Sequence, residues 1–364
     1  LGSIANNEVV YKHHKNNFIN KKNMKAALLV ATGAPDRAFR LQEMPDPLIT
    51  TPTQVRIQVE AFGLNFADVV ARLGQYQDCP PLPAVIGYEV VGTIESVGSG
   101  VTHLPIGMRV LAFTRFGGYA TMAITDAAAV VPIGDMDAGV ATALCTQYST
   151  AYFAAEYITQ LHQGEHVLIQ SAAGGVGTAL VQLAKRRGCI IYGTAGSDAK
   201  LEHIKKLGVD FPINYSTQNF ADAIKQIAPD GKVDVIFDAV GGDAVRKGIS
   251  LLAAGGRMVC YGAASMSQRS KNIFKTAKTA LEFGIYHPAQ FMMSSKSLMG
   301  VNMLRIADQR PLVLQQCLQN VIALAQQGEL KPVVDGVYPI AQLAEAHERL
   351  ETRQTMGKIA IRWV

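Results

Sequence analysis

From Lys25 to about Thr125 the apolar positions come as short runs, some alternating with polar residues and some unbroken. Ala26–Ala31, Gln54–Phe62, Val90–Val97, Arg109–Phe113 and Gly118–Ile124 each predict a β-strand. Pro45-Asp46-Pro47, Pro80-Pro81-Leu82-Pro83, Gly98-Ser99-Gly100 and Gly117-Gly118 mark turns between strands, and Phe66–Leu73 predicts one short helix. This part of the chain is expected to form a compact, partly open β-rich lobe.

After Asp135 the period changes. Ala138–Tyr157 predicts a helix, and strands and helices then alternate: Val167–Gln170, Val176–Arg187, Ile190–Gly193, Ala199–Leu207, Asn219–Ala228, Val235–Phe237, Val245–Leu252 and Arg257–Tyr261. Such alternation builds a parallel sheet with right-handed crossovers. The tail predicts helices at Leu312–Gln327 and Ile340–Glu351 and a last strand at Lys358–Trp363. A single terminal strand has no sheet of its own, so it is expected to return to the first lobe. The fold class is therefore α/β, with a β-rich lobe (24–146 and 299–364) and a doubly wound Rossmann lobe (147–298). Residues 1–23 are read as a tag or disordered extension before Met24.

Composition narrows the function classes. A chain of 364 residues exceeds one ordinary core, and 49% hydrophobic with 17% charged residues excludes a disordered chain or a charged coiled coil. Of the net charge of +5, the first 23 residues contribute +3 through Lys12, Lys15, Lys21 and Lys22 against Glu8. The body keeps +2, so no nucleic-acid footprint is expected. The cysteines Cys79, Cys145, Cys189, Cys260 and Cys317 are scattered without a CxxC spacing, and four of them, with apolar or small neighbours, read as buried thiols of a reducing, cytoplasmic compartment. The stretches Ala138–Ala155 and His166–Ala184 are broken by polar residues or glycines, so no integral membrane segment is expected.

The strongest local signal is Val167-Leu168-Ile169-Gln170-Ser171-Ala172-Ala173-Gly174-Gly175-Val176-Gly177 before an apolar helix. A strand entering a glycine turn and then a helix makes an anion site, because bare backbone and free N–H groups approach a pyrophosphate. Ala172 replaces the first glycine of GxGxxG, while Gly174 and Gly177 fit. The cofactor contacts expected here are Ala173, Gly174, Gly175, Val176 and Gly177. The next strand ends in Gly193-Thr194-Ala195-Gly196-Ser197 without the acid that binds ribose hydroxyls in NAD sites. Ser197, Lys200 and Tyr215 in its place suit a 2′-phosphate and favour NADPH. The plain alternative makes Ser197 a helix cap and Lys200 a solvated surface charge.

Over Met24–Val364 the chain resembles the medium-chain dehydrogenase/reductase superfamily, in particular its zinc-free quinone oxidoreductase branch. The residues that carry the likeness are Gly63-Leu64-Asn65-Phe66-Ala67-Asp68, Arg72-Leu73-Gly74-Gln75-Tyr76, Pro83-Ala84-Val85-Ile86-Gly87-Tyr88-Glu89, Ala172–Gly177, Gly193-Thr194-Ala195 with Lys200, Ile213-Asn214-Tyr215 and Gly357-Lys358. The resemblance implies a GroES-like substrate lobe and a homodimer. It places Asn65 at the nicotinamide ribose or the substrate oxygen, Tyr76 at the pocket mouth, and Thr150 at the cofactor where the lobes meet. Tyr261, Gly262 and Val301 would line the nicotinamide, and Lys358 or Arg353 would reach the phosphate side, with Lys358 favoured. Zinc-dependent relatives carry a cysteine where this chain has Leu64 or Asn65, and a histidine where it has Tyr88, so no metal site is expected.

The reaction these features imply is zinc-independent hydride transfer from NADPH to a quinone or other α,β-unsaturated carbonyl. An enoyl-thioester reductase with Tyr76 as proton donor is the enzymatic alternative, and a nucleotide-binding interaction protein the non-enzymatic one. The stretch Met266–Met299, with Lys271, Lys275, Lys278, Phe274, Phe283, Tyr286 and Phe291, reads as a lid or interface cover.

Overall fold

The computed structural model describes residues 23–262 and 282–363. The extension 1–22 and the part of the 266–299 stretch that holds Lys271, Phe274, Lys275 and Lys278 lie outside the described residues.

The first lobe is built on β1 (Asn23–Leu29), β2 (Phe39–Pro45), β3 (Gln54–Leu64), β4 (Ala84–Val85), β5 (Glu89–Val97), β6 (Arg109–Phe113), β7 (Met122–Asp126) and β8 (Val130–Pro132). The second holds β9 (His166–Ile169), β10 (Ile190–Ala195), β11 (Phe211–Asn214), β12 (Val233–Asp238), β13 (Leu252–Cys260) and β14 (Ser297–Gly300). The chain then adds β15 (Val334–Pro339) and β16 (Lys358–Arg362) to the first lobe. A small sheet has the order β2-β1-β4, and the main sheet of this lobe runs β15-β16-β3-β5-β6-β8, with β7 also on β3. β16 pairs antiparallel with β3, Ile359 opposite Leu64, so the terminal strand does return to the first lobe.

The second sheet has the order β11-β10-β9-β12-β13-β14, and every neighbouring pair is parallel. Strand order reverses between β9 and β12, and the carboxyl ends there open the crevice where such folds bind ligands. The boundary expected at 298/299 falls inside β14. A helical stretch from Ala138 to Ile158 runs between the lobes and widens into π-turns at Leu144–Tyr148 and Phe153–Ile158. Leu144, Cys145 and Tyr148 from it share a buried core with Val167 and Ile169 of β9 and Val91 and Leu111 of the first lobe. The lobes are therefore joined by packed apolar side chains, and the cleft between them has a fixed floor.

Candidate active site

The glycine turn is held from both sides. Gln170 N–H donates to Phe237 O at 3.0 Å, Ala172 N–H to Thr194 O at 2.9 Å and Gly174 N–H to Ser171 O at 2.9 Å. The helix Gly175–Arg186 follows with Gly174 at its N-cap. Its first N–H groups have no partner within the helix, which is the condition for anion binding. A side chain on Gly177 would lie 2.8 Å from Ala172 Cα and closer still to Ser171 O. Glycine there lets the helix pack on the strand. A side chain on Gly174 would meet only Ser171 O, at 3.3 Å, so the protein itself leaves that side of the turn open. The space beside Gly175 holds the Gln147 amide, whose buried Oε1 has no hydrogen-bond partner among the described residues. An open glycine and free N–H groups beside it fit the pyrophosphate of a dinucleotide.

At the end of β10, Ser197 is the N-cap of the helix Asp198–Leu207 but makes no side-chain cap bond, so its hydroxyl is not used for capping. The phenol of Tyr215 lies against Gly196, where a Cβ would be 2.5 Å from Oη. Lys200 Nζ donates to the carbonyl of Arg353 at 2.6 Å, and burial holds this ammonium below the usual lysine range. Lys200 thus has a partner on the chain while staying partly exposed. Asp198 accepts from Asn214 Nδ2 at 3.3 Å, and the acid that acts on the Lys200 ammonium is Asp335. The bond from Lys200 also brings the exposed Arg353, in the left-handed region at φ 57°, to the edge of this pocket. A second link spans the lobes nearby, where Gly357 N–H donates to Ala173 O at 3.1 Å.

Lys358 lies elsewhere than expected. It does not reach the phosphate side: its side chain is fully buried, and its ammonium pairs with Glu89, also fully buried, and donates to Asn65 Oδ1 at 3.0 Å. Asn65 Nδ2 donates to Glu89 Oε1 at 2.8 Å, and the Thr146 hydroxyl donates to Glu89 Oε2. Gly63 makes room for the pair, since a Cβ there would lie 2.7 Å from Lys358 Nζ. The physical reason is geometric: β16 enters the sheet at Lys358, which turns this side chain into the lobe. Arg353, four residues before Gly357, takes the position facing Lys200. Asp68 accepts from Asn65 N–H at 2.8 Å, and burial raises its carboxyl to about 8, so it is held protonated at neutral pH.

Tyr76 is half-buried, and burial raises its phenol above the ordinary range, which keeps the proton in place. It packs edge-on to Tyr88 at 6.2 Å, and Tyr88 packs on Phe116 at 5.4 Å. The hydroxyl of Tyr88 is buried, with no hydrogen-bond partner among the described residues. Arg115 and Asp308 pair at 2.7 Å, and Arg305 and Asp78 at 2.5 Å, tying the Tyr76 loop and Phe116 to the helix Met303–Gln309. These four charges were missed in the sequence. Thr150 is buried, with its hydroxyl on Thr146 O at 2.6 Å. Tyr261, Gly262 and Val301 continue from the carboxyl ends of β13 and β14, with Val301 N–H on Cys260 O at 2.9 Å. A separate cavity of about 460 Å³, lined by His166, Asp230, Lys232, Asp234 and Lys296 among others, opens at the amino ends of β9 and β12, away from this cleft. Its two lysines already donate to Ser250 O and Ile249 O.

Comparison with known proteins agrees with this arrangement. Residues 51–135 match the alcohol dehydrogenase GroES-like domain, and residues 207–361 match the zinc-binding dehydrogenase family. The human synaptic vesicle membrane protein VAT-1 homolog is 33% identical over 342 residues, 93% of this chain and 86% of that protein. The chain belongs to the medium-chain dehydrogenase/reductase family. Among solved structures of this family, Escherichia coli quinone oxidoreductase complexed with NADPH superposes with a TM-score of 0.79 at 26% identity, covering 93% of this chain and all of that one. The CurK enoyl reductase gives 0.79 at 26% identity, covering 94% and 99%. The second matched family is described as zinc-binding, whereas the resemblance puts Leu64 or Asn65 where zinc-dependent relatives carry a cysteine and Tyr88 where they carry a histidine. Among the described residues no group of three or more His, Cys, Asp or Glu side chains could hold a metal ion. No described helix is long and apolar enough to cross a membrane.

Proposed function

We propose that this protein is an NADPH-dependent, zinc-independent reductase that transfers a hydride to a quinone or other α,β-unsaturated carbonyl. The observation that carries the reading is a dinucleotide turn facing a cleft whose polar groups, Asn65, Tyr76 and Tyr88, include no metal-ligand set. NADPH bound at the turn supplies the hydride. The N–H groups of Gly175, Val176 and Gly177 would hold the pyrophosphate, and Ser197, Lys200 and Tyr215, with Arg353 beside them, the 2′-phosphate. Thr150, Tyr261, Gly262 and Val301 would position the nicotinamide.

A conjugated acceptor spreads the incoming charge onto its oxygen, so orientation and exclusion of water carry most of the demand. Asn65 offers an N–H to that oxygen, and the Tyr76–Tyr88–Phe116 wall keeps the site apolar. The acceptor gains a hydride and a proton. For a quinone, solvent can supply the proton. For an enoyl thioester, Tyr76 is the donor at hand. The likeness to an enoyl reductase, equal to that to a quinone oxidoreductase, supports this acceptor beside the first. The free cysteines suit a reducing compartment, in keeping with a cytoplasmic reductase.

The test is oxidation of NADPH with an ortho-quinone and an enoyl thioester side by side. Turnover of either with NADPH supports the reading. Tight NADPH binding with no turnover of any acceptor in a broad panel would replace it with a nucleotide-binding interaction protein.

A further inference from the structure

The buried pair Lys358–Glu89 joins the starts of β16 and β5 and holds Asn65 between its charges. Both side chains are 0% exposed whereas Asn65 keeps 6% of its surface, so of the three residues only Asn65 can meet a ligand. The other polar contacts of the group are internal too: Thr146 on one oxygen of Glu89, Lys358 and Asn65 on the other, and the capping box of Asn65 with Asp68 at the start of the helix Phe66–Arg72.

This arrangement dictates how the amide points. With Oδ1 on the ammonium and one Nδ2–H on the carboxylate, both contacts are favourable. Turning the amide over would set Nδ2–H against a group that only donates and Oδ1 against a carboxylate that only accepts. In a buried site neither mismatch can be relieved by water. The second Nδ2–H has no acceptor among the described residues.

We propose that Lys358 and Glu89 are positioning residues: their ion pair locks the Asn65 carboxamide so that an N–H, and never its oxygen, faces the acceptor. The ammonium on Oδ1 also draws electron density from the amide and makes that N–H a stronger donor. A donor fixed before the reaction, aimed where negative charge develops, lowers the barrier without reorganisation. The pair costs desolvation that a hydrophobic pair would avoid, which makes a specificity role the natural reason for it. The role in turnover rests on the reductase reading above.

The test is the double substitution Lys358→Met with Glu89→Gln, which preserves volume and charge balance while removing the bias on the amide. With whichever acceptor the wild type reduces, kcat falls by about tenfold or more, while the NADPH Kd stays within about twofold. In ¹⁵N-asparagine-labelled protein, the Asn65 side-chain signal, assigned by its absence in Asn65→Asp, is protected from solvent exchange in the wild type and loses that protection in the double variant. If the double variant does not fold, Thr146→Val, which removes only the hydroxyl on Glu89, gives a smaller fall in kcat with the same NADPH affinity. Unchanged kcat in whichever variant folds overturns the proposal alone. A wild type that reduces no acceptor overturns the reductase reading and the role in turnover with it, even where the NMR signal shows the amide locked.

Discussion

Gly174 and Gly177 do different work in one turn, and two alanine substitutions separate them. At Gly177 the new Cβ would stand 2.8 Å from Ala172 Cα and nearer still to the Ser171 carbonyl. Backbone on both sides must then part by about 1 Å in an interior packed at crystal density. Overpacking of that kind costs about 1–3 kcal/mol, and the melting temperature drops by several degrees. At Gly174 the Cβ meets one carbonyl at 3.3 Å, and φ is −76°, a conformation open to any residue. The apoprotein should lose less than about 1 kcal/mol there, the difference between glycine and alanine at an N-cap. The methyl instead fills the open side of the turn, where the pyrophosphate would sit. Losing one charge-assisted hydrogen bond at 1.5–3 kcal/mol weakens NADPH by about 10- to 100-fold. The assays are thermal unfolding without ligand and NADPH binding followed by fluorescence. Gly177→Ala should fail both, and Gly174→Ala only the second. A Gly174→Ala protein that binds NADPH like the wild type would refute the placement of the pyrophosphate.

Other consequences follow from the same geometry. Lys200→Ala removes the ammonium that donates to the Arg353 carbonyl, so NADPH affinity should fall by about 10- to 100-fold while NADH affinity holds; equal loss for both cofactors would remove Lys200 from a 2′-phosphate role. Tyr76→Phe should slow enoyl-thioester reduction far more than quinone reduction, and equal slowing would make the phenol a wall rather than a proton donor. Asp68, raised from 3.8 to about 8 by burial, binds a proton in the folded protein that the unfolded chain releases. Its contribution therefore lowers stability as pH rises from about 4 to 8, by at most about 1.4 kcal/mol per unit. Asp68→Asn should gain on the wild type in urea unfolding between pH 5 and pH 8, and a constant difference would contradict that proton count.

The parts legible in the sequence were those with strong local signals. The glycine turn and its flanking strand and helix were read almost to the residue, because the period and the glycines lie within one short segment. The strand Arg109–Phe113 was read at its observed bounds, its four apolar residues all being buried. Edge strands were not seen: Phe39–Pro45 and Ser297–Gly300 are largely exposed, so burial imposes no period on them. Lys358 was misplaced for a different reason. Its partners Glu89 and Asn65 lie 269 and 293 residues away, and no local pattern announces a pairing at that range. The available hint was Glu89 itself, an acid opening an otherwise apolar run, with Gly63 in the strand that faces it.

Single-turnover mixing of the protein–NADPH complex with a conjugated acceptor, after exhaustive chelation, tests the central claim most directly. NADPH carrying deuterium at both C4 positions serves as the comparison. Oxidation of the bound cofactor that survives chelation and slows with deuterium is the result expected of metal-free hydride transfer. Loss of the reaction on chelation, or a bound cofactor that no acceptor oxidises, would contradict it.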